Sequence, residues 1–349
     1  MQRVSQQLIR ELKRKDSVDV ITETVNVSGD GQIALSTTAF LLKQLVELPA
    51  KIRQCKADVV LFSSMVTASL AYFIRSRVSV PMVTINHGRD VTLPVGIYQW
   101  FVPKVFASLD GVISVSRATR EECIKRGMDP EKGVALPNGF DFKQLNNFPN
   151  KQESRNRLQQ NFRIPLESNF MLLTVGRKVK RKGHEWFIRE VLPKLDREVV
   201  YVTVGDGPEF ESIRHAAEES SESDRIFLLG RQPDEVLQQA YAAADLFIMP
   251  NIPVDGDMEG FGIVLLEANM ARTPAVAADL EGIKDVISQG DNGYRVPTLS
   301  PNEFAEKVHA MLSGQLEQFS DDSRNYVRDQ FSWERVAQQY VDFLRTKTQ

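Results

Sequence analysis

Twice along the chain, short uninterrupted apolar runs alternate with segments of helical periodicity, and this alternation limits the fold more than any other feature. The first series is 58–62, 81–85, 111–116 and 133–137; the second is 170–175, 199–204, 226–229, 246–249 and 275–277. Apolar runs without a polar alternate predict strands buried on both faces, hence parallel sheets covered by helices. Helices are expected at 35–54, 67–75 and 117–126. The chain opens on another, with Val4, Leu8, Ile9 and Leu12 at helical spacing, followed by a strand at Val18, Val20 and Ile21, and it closes on an amphipathic helix at 332–344. The polar stretch 142–168 reads as a connector or short helix. The resulting expectation is an α/β protein of two Rossmann-like domains facing across a cleft. Their bounds are 1–148 and 169–330, with a linker at 149–168 and a final helix, 331–349, packing back on the first domain. In such folds ligands bind outside the carboxyl ends of the strands.

A length of 349 residues, 42% hydrophobic and 26% charged, suits two ordinary globular domains. The net charge of -3 and the pI near 5.9 argue against a nucleic-acid partner, whose footprint would be basic. Small substrates are expected instead. Cys55 and Cys123 stand in no metal or redox spacing and read as buried fillers in a reducing compartment. No apolar core of a signal peptide opens the chain and no run reaches the length of a membrane span, so a cytoplasmic protein is expected.

The chemistry concentrates in the stretch 255–269, DGDMEGFGIVLLEAN. Glu259 and Glu267 flank the turn Gly260-Phe261-Gly262, behind which Ile263, Val264, Leu265 and Leu266 read as a buried helix. A helix entrance presents unpaired N–H groups and attracts anions, while carboxylates accept hydrogen bonds from hydroxyls. The stretch is therefore suited to a ligand carrying both phosphate and sugar. Ahead of it, the strand 170–175 ends in Gly176-Arg177, and Lys182 follows five residues on within KVKRKG. Arginine binds a diphosphate as a fork and lysine as a point charge. His87, in NHGRD after the strand 81–85, lies where the carboxyl edge of the first sheet is expected. Weaker signals are GDGPE at 205–209, a turn lacking the third glycine of the dinucleotide fingerprint, and Asn138-Gly139, first of all a turn. Asp255 and Asp257 do not complete an oxygen cage for a metal, and His184-Glu185 lacks the second histidine of a zinc helix.

Together these residues, in this order, resemble the retaining glycosyltransferases of the GT-B fold, group 1, family 4-like. The paired glutamates match Glu259 and Glu267, the Gly-Arg and Lys set matches Gly176, Arg177 and Lys182, and the His-Gly pair matches His87 and Gly88. VALPNGFD, AYAAADLFIMP and the closing FSW are further landmarks. The resemblance implies that Glu267 accepts from the donor ribose and that the backbone of Phe261, Gly262, Ile263 and Val264 meets diphosphate and sugar. Glu259 lies by the transferred sugar, Arg177 and Lys182 neutralise the departing diphosphate, His87 touches the sugar, and the base pocket forms near Gly230 and Arg231. It also implies attack from the leaving-group face, with the nucleotide diphosphate sugar as co-substrate and no metal or other cofactor.

Two departures stand out. Family members begin with a strand and glycine-rich loop that this sequence lacks, and Arg272 stands where a glycine is usual, read as a surface turn. The form EGFGIVLLEA resembles family members that use GDP-mannose slightly more than those that use UDP-glucose, which share most of it. The acceptor is a sugar or a lipid-linked sugar, and the basic amphipathic helix 8–15 is either a peripheral membrane contact or a solvated face. A same-fold epimerase or phosphorylase and a non-catalytic sugar-nucleotide-binding subunit remain as alternatives, and oligomeric state is open.

Overall fold

The computed structural model describes residues 2–24, 33–142, 148–314 and 316–348. In chain order these form α1 (Gln2–Leu12), α2 (Ile33–Gln54), β1 (Val60–Phe62), α3 (Met65–Ile74), β2 (Met82–Asn86), the single turn α4 (Arg89–Thr92), α5 (Gly96–Ala107), β3 (Gly111–Ser114), α6 (Arg117–Lys125) and β4 (Gly133–Ala135). There follow α7 (Lys151–Phe162), β5 (Phe170–Val175), α8 (His184–Trp186), β6 (Val199–Val204), α9 (Phe210–Glu219), β7 (Ile226–Leu228), α10 (Asp234–Ala243), β8 (Leu246–Met249), α11 (Ile263–Met270) and β9 (Ala275–Ala278). The last elements are α12 (Ile283–Val286), β10 (Gly293–Val296), α13 (Pro301–Leu312), α14 (Leu316–Phe331) and α15 (Trp333–Thr348). The chain divides into two compact units, Met1–Gly139 with Trp333–Gln349, and Phe140–Ser332.

In the first unit the strands run in the order β1-β2-β3-β4, all parallel. Strand β2, MVTIN, is buried throughout, as an apolar run in a covered parallel sheet must be. The helix after β1 begins at a capping box, in which Ser64 and Thr67 each satisfy the other's backbone N–H. Met65, Ile74, Met82, Phe106, Val112 and Cys123 form the core of this unit. Helix α15 packs on α1, where Leu8 and Leu12 are buried and Trp333 Nε1 donates to Gln7 Oε1 at 3.3 Å. The Trp333 ring lies flat on Gly139, where a Cβ would stand 2.3 Å from it.

Some expectations are corrected here. Val18, Val20 and Ile21 form no strand, and Ile21 is 66% exposed. An extended segment with no ladder partner gains no hydrogen bonds, and three apolar residues bury too little to hold it. Among the described residues β1 is an edge strand and no strand precedes it in the chain. Cys55 is exposed on the turn that ends α2, whereas Cys123 is buried. The sequence reading passed over α5, which carries Pro103 within it, and β10. Residues 143–147 of the expected connector lie outside the described residues; the remainder includes α7, capped by Asn150 and packed on α10.

The second unit has six parallel strands in the order β10-β9-β8-β5-β6-β7. From β5 the chain builds outward through β6 and β7, then returns to the other side of β5 at β8. The junction of β5 and β8 is thus the topological switch point, where loops diverge and leave a crevice at the carboxyl edge. Phe187, Tyr201, Leu246, Ile248 and Phe304 fill the core on one face of this sheet. The start of β8 is fixed by Arg155 of α7, whose guanidinium donates to the carbonyls of Leu166, Asn169 and Ala243 and to Asp245 Oδ2 at 3.0 Å. Asp245 also accepts from Met171 N at 2.7 Å. Removing the guanidinium leaves a buried carboxylate and three carbonyls without it. Arg155→Ala should therefore lower the unfolding free energy by about 3 kcal/mol in urea denaturation; a loss too small to resolve would show that this clamp is dispensable.

Candidate functional site

The switch point is closed by two loops pressed together. After β5 the chain passes Gly176 and Arg177, makes a 3-10 turn at Lys180–Lys182 and reaches Gly183 in the left-handed region, φ 66. A Cβ on Gly183 would stand 2.0 Å from the carbonyl oxygen of Pro250, just past β8, so this approach requires glycine. Ile252 N donates to Arg181 O at 2.9 Å across the same seam.

On this seam stands Glu259, 8% exposed. Its Oε2 accepts from Lys182 Nζ at 2.5 Å, Arg181 Nη1 at 2.6 Å and Asn251 Nδ2 at 3.1 Å. Its backbone N–H donates to Glu281 Oε2, and its carbonyl accepts from Gly282 N at 3.0 Å. Burial pushes the Glu259 carboxyl up, but Lys182 and Arg181 more than offset it and hold it below the usual range. Lys182 is itself buried, and desolvation lowers its ammonium despite Glu259. Asn251 is 1% exposed and its Oδ1 has no hydrogen-bond partner among the described residues. An unsatisfied buried acceptor beside a charge cluster is costly unless a ligand or water meets it.

The glycine turn leads into α11 as its sequence predicts. Gly262, at φ 87, is the residue before the helix, and Ile263 and Val264 occupy its first turn with N–H groups that lack intrahelical acceptors. Phe261 is buried against Phe331, which fixes the turn. One turn further along, Glu267 accepts from Tyr241 Oη at 2.7 Å. Arg177 is exposed and makes no side-chain hydrogen bond or ion pair among the described residues. Gly176, at φ 150, lies beside the Lys182 side chain, with space for a Cβ 3.6 Å from its Cε. Gly230 and the exposed Arg231 follow β7, and Gly205 N donates to Gly230 O at 2.7 Å, joining the loops after β6 and β7. Gly176, Arg177, Lys182, Arg231, Glu259, Phe261, Gly262, Ile263, Val264 and Glu267 are thus all in loops or a helix start at the carboxyl edge of one sheet.

His87 belongs to the first unit, directly after β2. Its N–H donates to Asp90 Oδ1 at 2.8 Å, and its Nε2 lies 3.0 Å from Ser63 O. Burial lowers the imidazole pKa, with Asp90 and the Ser63 carbonyl opposing. Gly88, at φ 96, turns the chain there. Asn138, 7% exposed, follows β4 at the same edge with its Oδ1 unpartnered among the described residues.

The comparisons bear on this arrangement. The sequence model described as Glycosyltransferase Family 4 matches residues 1–144, and that described as Glycosyl transferases group 1 matches residues 169–314, together most of the chain. The chain belongs to the group 1, family 4 glycosyltransferases. A GDP-mannose-dependent alpha-(1-6)-phosphatidylinositol monomannoside mannosyltransferase of Mycobacterium tuberculosis is 29% identical over 270 residues, covering 74% of this chain and 68% of the relative. An uncharacterized glycosyltransferase of Methanocaldococcus jannaschii is 28% identical over 67% of this chain, which spans 59% of it. Among solved structures, Anabaena HepE in complex with UDP superposes with a TM-score of 0.72 at 20% identity, covering 90% of this chain and 83% of HepE. The fold is GT-B, two parallel-sheet α/β domains. Arg272, where the resemblance leads one to expect glycine, adopts φ 64 and pairs with Asp321 at 3.2 Å, so the backbone there has the conformation that glycine favours.

Three polar residues of this edge escaped the sequence reading: Arg181, Asn251 and Lys178. Arg181 and Lys178 lie with Lys182 in the basic run KVKRK, and Asn251 immediately follows the strand that ends MP. That one lysine of the run is buried is not visible in sequence, and His184 reads there only as an incomplete zinc motif. Lys178 is fully buried, its Nζ 3.5 Å from His184 Nε2. The direction of the chain of hydrogen bonds is fixed at its far end, where Thr174 Oγ1 donates to the carbonyl of Ile248 at 2.7 Å. Thr174 then accepts from Tyr201 Oη, which in turn accepts from His184 Nδ1, both at 3.1 Å. His184 is therefore a neutral imidazole with its proton on Nδ1, leaving Nε2 to accept from Lys178. Burial, with Lys178 and Lys182 nearby, holds its pKa well below the usual value. Burial also pushes Lys178 down to about 7 from 10.5, with Asp206 opposing.

A lysine whose folded pKa is depressed binds its proton more readily in the unfolded chain between pH 7 and 10.5, so stability rises with pH across that window. Lys178→Met should remove this contribution, which is at most about 1.4 kcal/mol per pH unit. Denaturant titrations of wild type and variant at several pH values check it, and parallel profiles between pH 7 and 10 would contradict the assignment.

Proposed function

We propose that this glycosyltransferase moves a hexose from a nucleoside diphosphate sugar to an acceptor hydroxyl with retention of configuration, without a metal ion. The observation that carries the reading is the placement, at the carboxyl edge of one sheet, of buried Lys182, exposed Arg177 and the open amides at the start of α11. Cations and oriented dipoles at that place are what a departing diphosphate requires as charge develops on it. Glu259 stands beside them for the transferred sugar. The open acceptor of Asn251 is a partner for a sugar hydroxyl, and Glu267, oriented by Tyr241, is assigned the ribose. His87, at the edge of its own unit with its imidazole pKa lowered by burial, is assigned a hydrogen bond to the sugar. Gly230 and Arg231 are assigned the base pocket.

The acceptor hydroxyl attacks the anomeric carbon from the leaving-group face, its proton passing to a phosphate oxygen of the donor as the bond from carbon to the diphosphate breaks. No side chain is then needed as a nucleophile. Mannose is favoured over glucose by EGFGIVLLEA and by the GDP-mannose dependence in the name of the mycobacterial relative. The acceptor is a sugar or lipid-linked sugar in the synthesis of a glycan, polysaccharide or glycolipid.

A thermal-shift panel of GDP-mannose, UDP-glucose and ADP-glucose should raise the melting temperature with one donor at least, and GDP-mannose most, in proportion to the logarithm of its concentration. The stabilising donor should support transfer or slow hydrolysis in the presence of a chelator, with the product anomer matching the donor. Binding without either reaction over a panel of acceptors would sink the enzyme reading. For variants, Glu267→Ala should raise KM by about tenfold, while Lys182→Ala and Arg177→Ala should lower kcat by about a hundredfold. Unchanged kcat in both cation variants would remove them from the leaving-group role.

A further inference from the structure

We propose that the outer face of helices α3 and α5 in the first unit is a docking surface for an anionic lipid bilayer. Large apolar side chains are exposed along this pair: Val66 at 37%, Tyr72 at 44%, Phe73 at 52%, Ile97 at 77% and Trp100 at 65%. Phe101 of α5 joins the two helices at the aromatic centre of this face. The Phe101 ring lies 5.2 Å from Tyr72 and 5.8 Å from Phe73, and Tyr72 and Phe73 meet edge to face at 5.2 Å. Aromatic rings with one apolar body and a polar end are the residues that settle at the level of lipid headgroups.

The charge on this face selects the partner. Between residues 59 and 109 the sequence holds one acidic residue, Asp90, and that carboxylate is buried and accepts from His87 N and Met65 N. Two cations sit within the patch. Lys104 Nζ lies 3.2 Å from the centroid of the Trp100 ring, and Arg77 Nη2 donates to the Phe73 carbonyl at 3.3 Å; neither has a carboxylate partner among the described residues. Over the unit as a whole, residues 1–139 and 333–349 carry 21 Lys and Arg against 15 Asp and Glu, whereas residues 140–332 carry 22 against 31. A basic, aromatic face on the basic unit, whose flanking carboxylate Asp110 is paired with Arg75, complements anionic headgroups. A second copy of the chain fits it poorly, since a symmetric contact would bring Lys104 and Arg77 against their own kind. The surface differs from the one that residues 8–15 suggest, because the apolar face of α1 is buried under α15.

The inference does not depend on donor chemistry and is tested without it. The full chain is floated with vesicles of phosphatidylglycerol and, separately, of phosphatidylcholine. The protein should float with the first and not the second, more so at low salt, and Trp100 emission should shift to the blue and be quenched by brominated lipid. Ile97→Asn with Trp100→Ala, and separately Arg77→Glu with Lys104→Glu, should each weaken flotation about tenfold or more, with melting temperature unchanged. Light scattering should report a monomer without vesicles. Absence of flotation on phosphatidylglycerol, equal flotation by both variant pairs and wild type, or a dimer that dissociates in the Ile97 and Trp100 variant would overturn the proposal.

Discussion

A single buried carboxylate oxygen decides how the second unit presents its edge. Glu259 Oε2 gathers Lys182, Arg181 and Asn251, and through them it holds the loop after β5 against the loop after β8. Without the carboxylate, Lys182 would be a buried cation with no carboxylate bonded to it, and only the Asp257 charge nearby would oppose its desolvation; without the cations, the carboxylate could not stay ionised at this depth. The cluster is therefore self-compensating, and in the proposed reaction its cations are the groups that a diphosphate would engage. Glycine at 183 permits the closeness on which it depends, and Glu281 and Gly282 pin the peptide of Glu259 from the other side.

The rest of the unit serves to keep that edge in register. Parallel pairing of β8 with β5 sets the height of the two loops, and Arg155 with Asp245 anchors β8 at its start, far from the site. Beneath the loop, Lys178, His184, Tyr201 and Thr174 form a polar chain ending on the carbonyl of Ile248, which ties the loop to β5, β6 and β8 together. A cavity of about 540 Å³ lies at the opposite end of the same sheet, near Asp245 and Pro274, and shares no residue with the cluster.

Much of this was legible in the sequence because it rests on local signals. Runs such as FMLLTV and VVYVTV, short, apolar and bearing β-branched residues, read as buried strands, and a glycine turn before IVLLEA reads as a helix entrance. The glutamates, Arg177 and Lys182 are recognised by their spacing from those elements. What failed depends on distant partners. Val18 to Ile21 has strand composition but no strand pairs with it among the described residues, and Cys55 has the composition of a filler but ends a helix at the surface. Arg181 and Lys182 are adjacent and chemically alike in the sequence. That both turn to the same carboxylate, and that Lys178 turns into the core, follows from the 3-10 turn at Lys180–Lys182 and the packing against Pro250, neither of which a basic run announces.

If Glu259 holds the cations that a donor diphosphate engages, it competes with that diphosphate for them. Calorimetric titration of GDP and of UDP into wild type and Glu259→Gln tests this directly. The account predicts that the variant binds the preferred nucleoside diphosphate tighter, by about tenfold, because Lys182 and Arg181 are released to it. Equal or weaker binding by a Glu259→Gln protein that retains the wild-type melting temperature would contradict it.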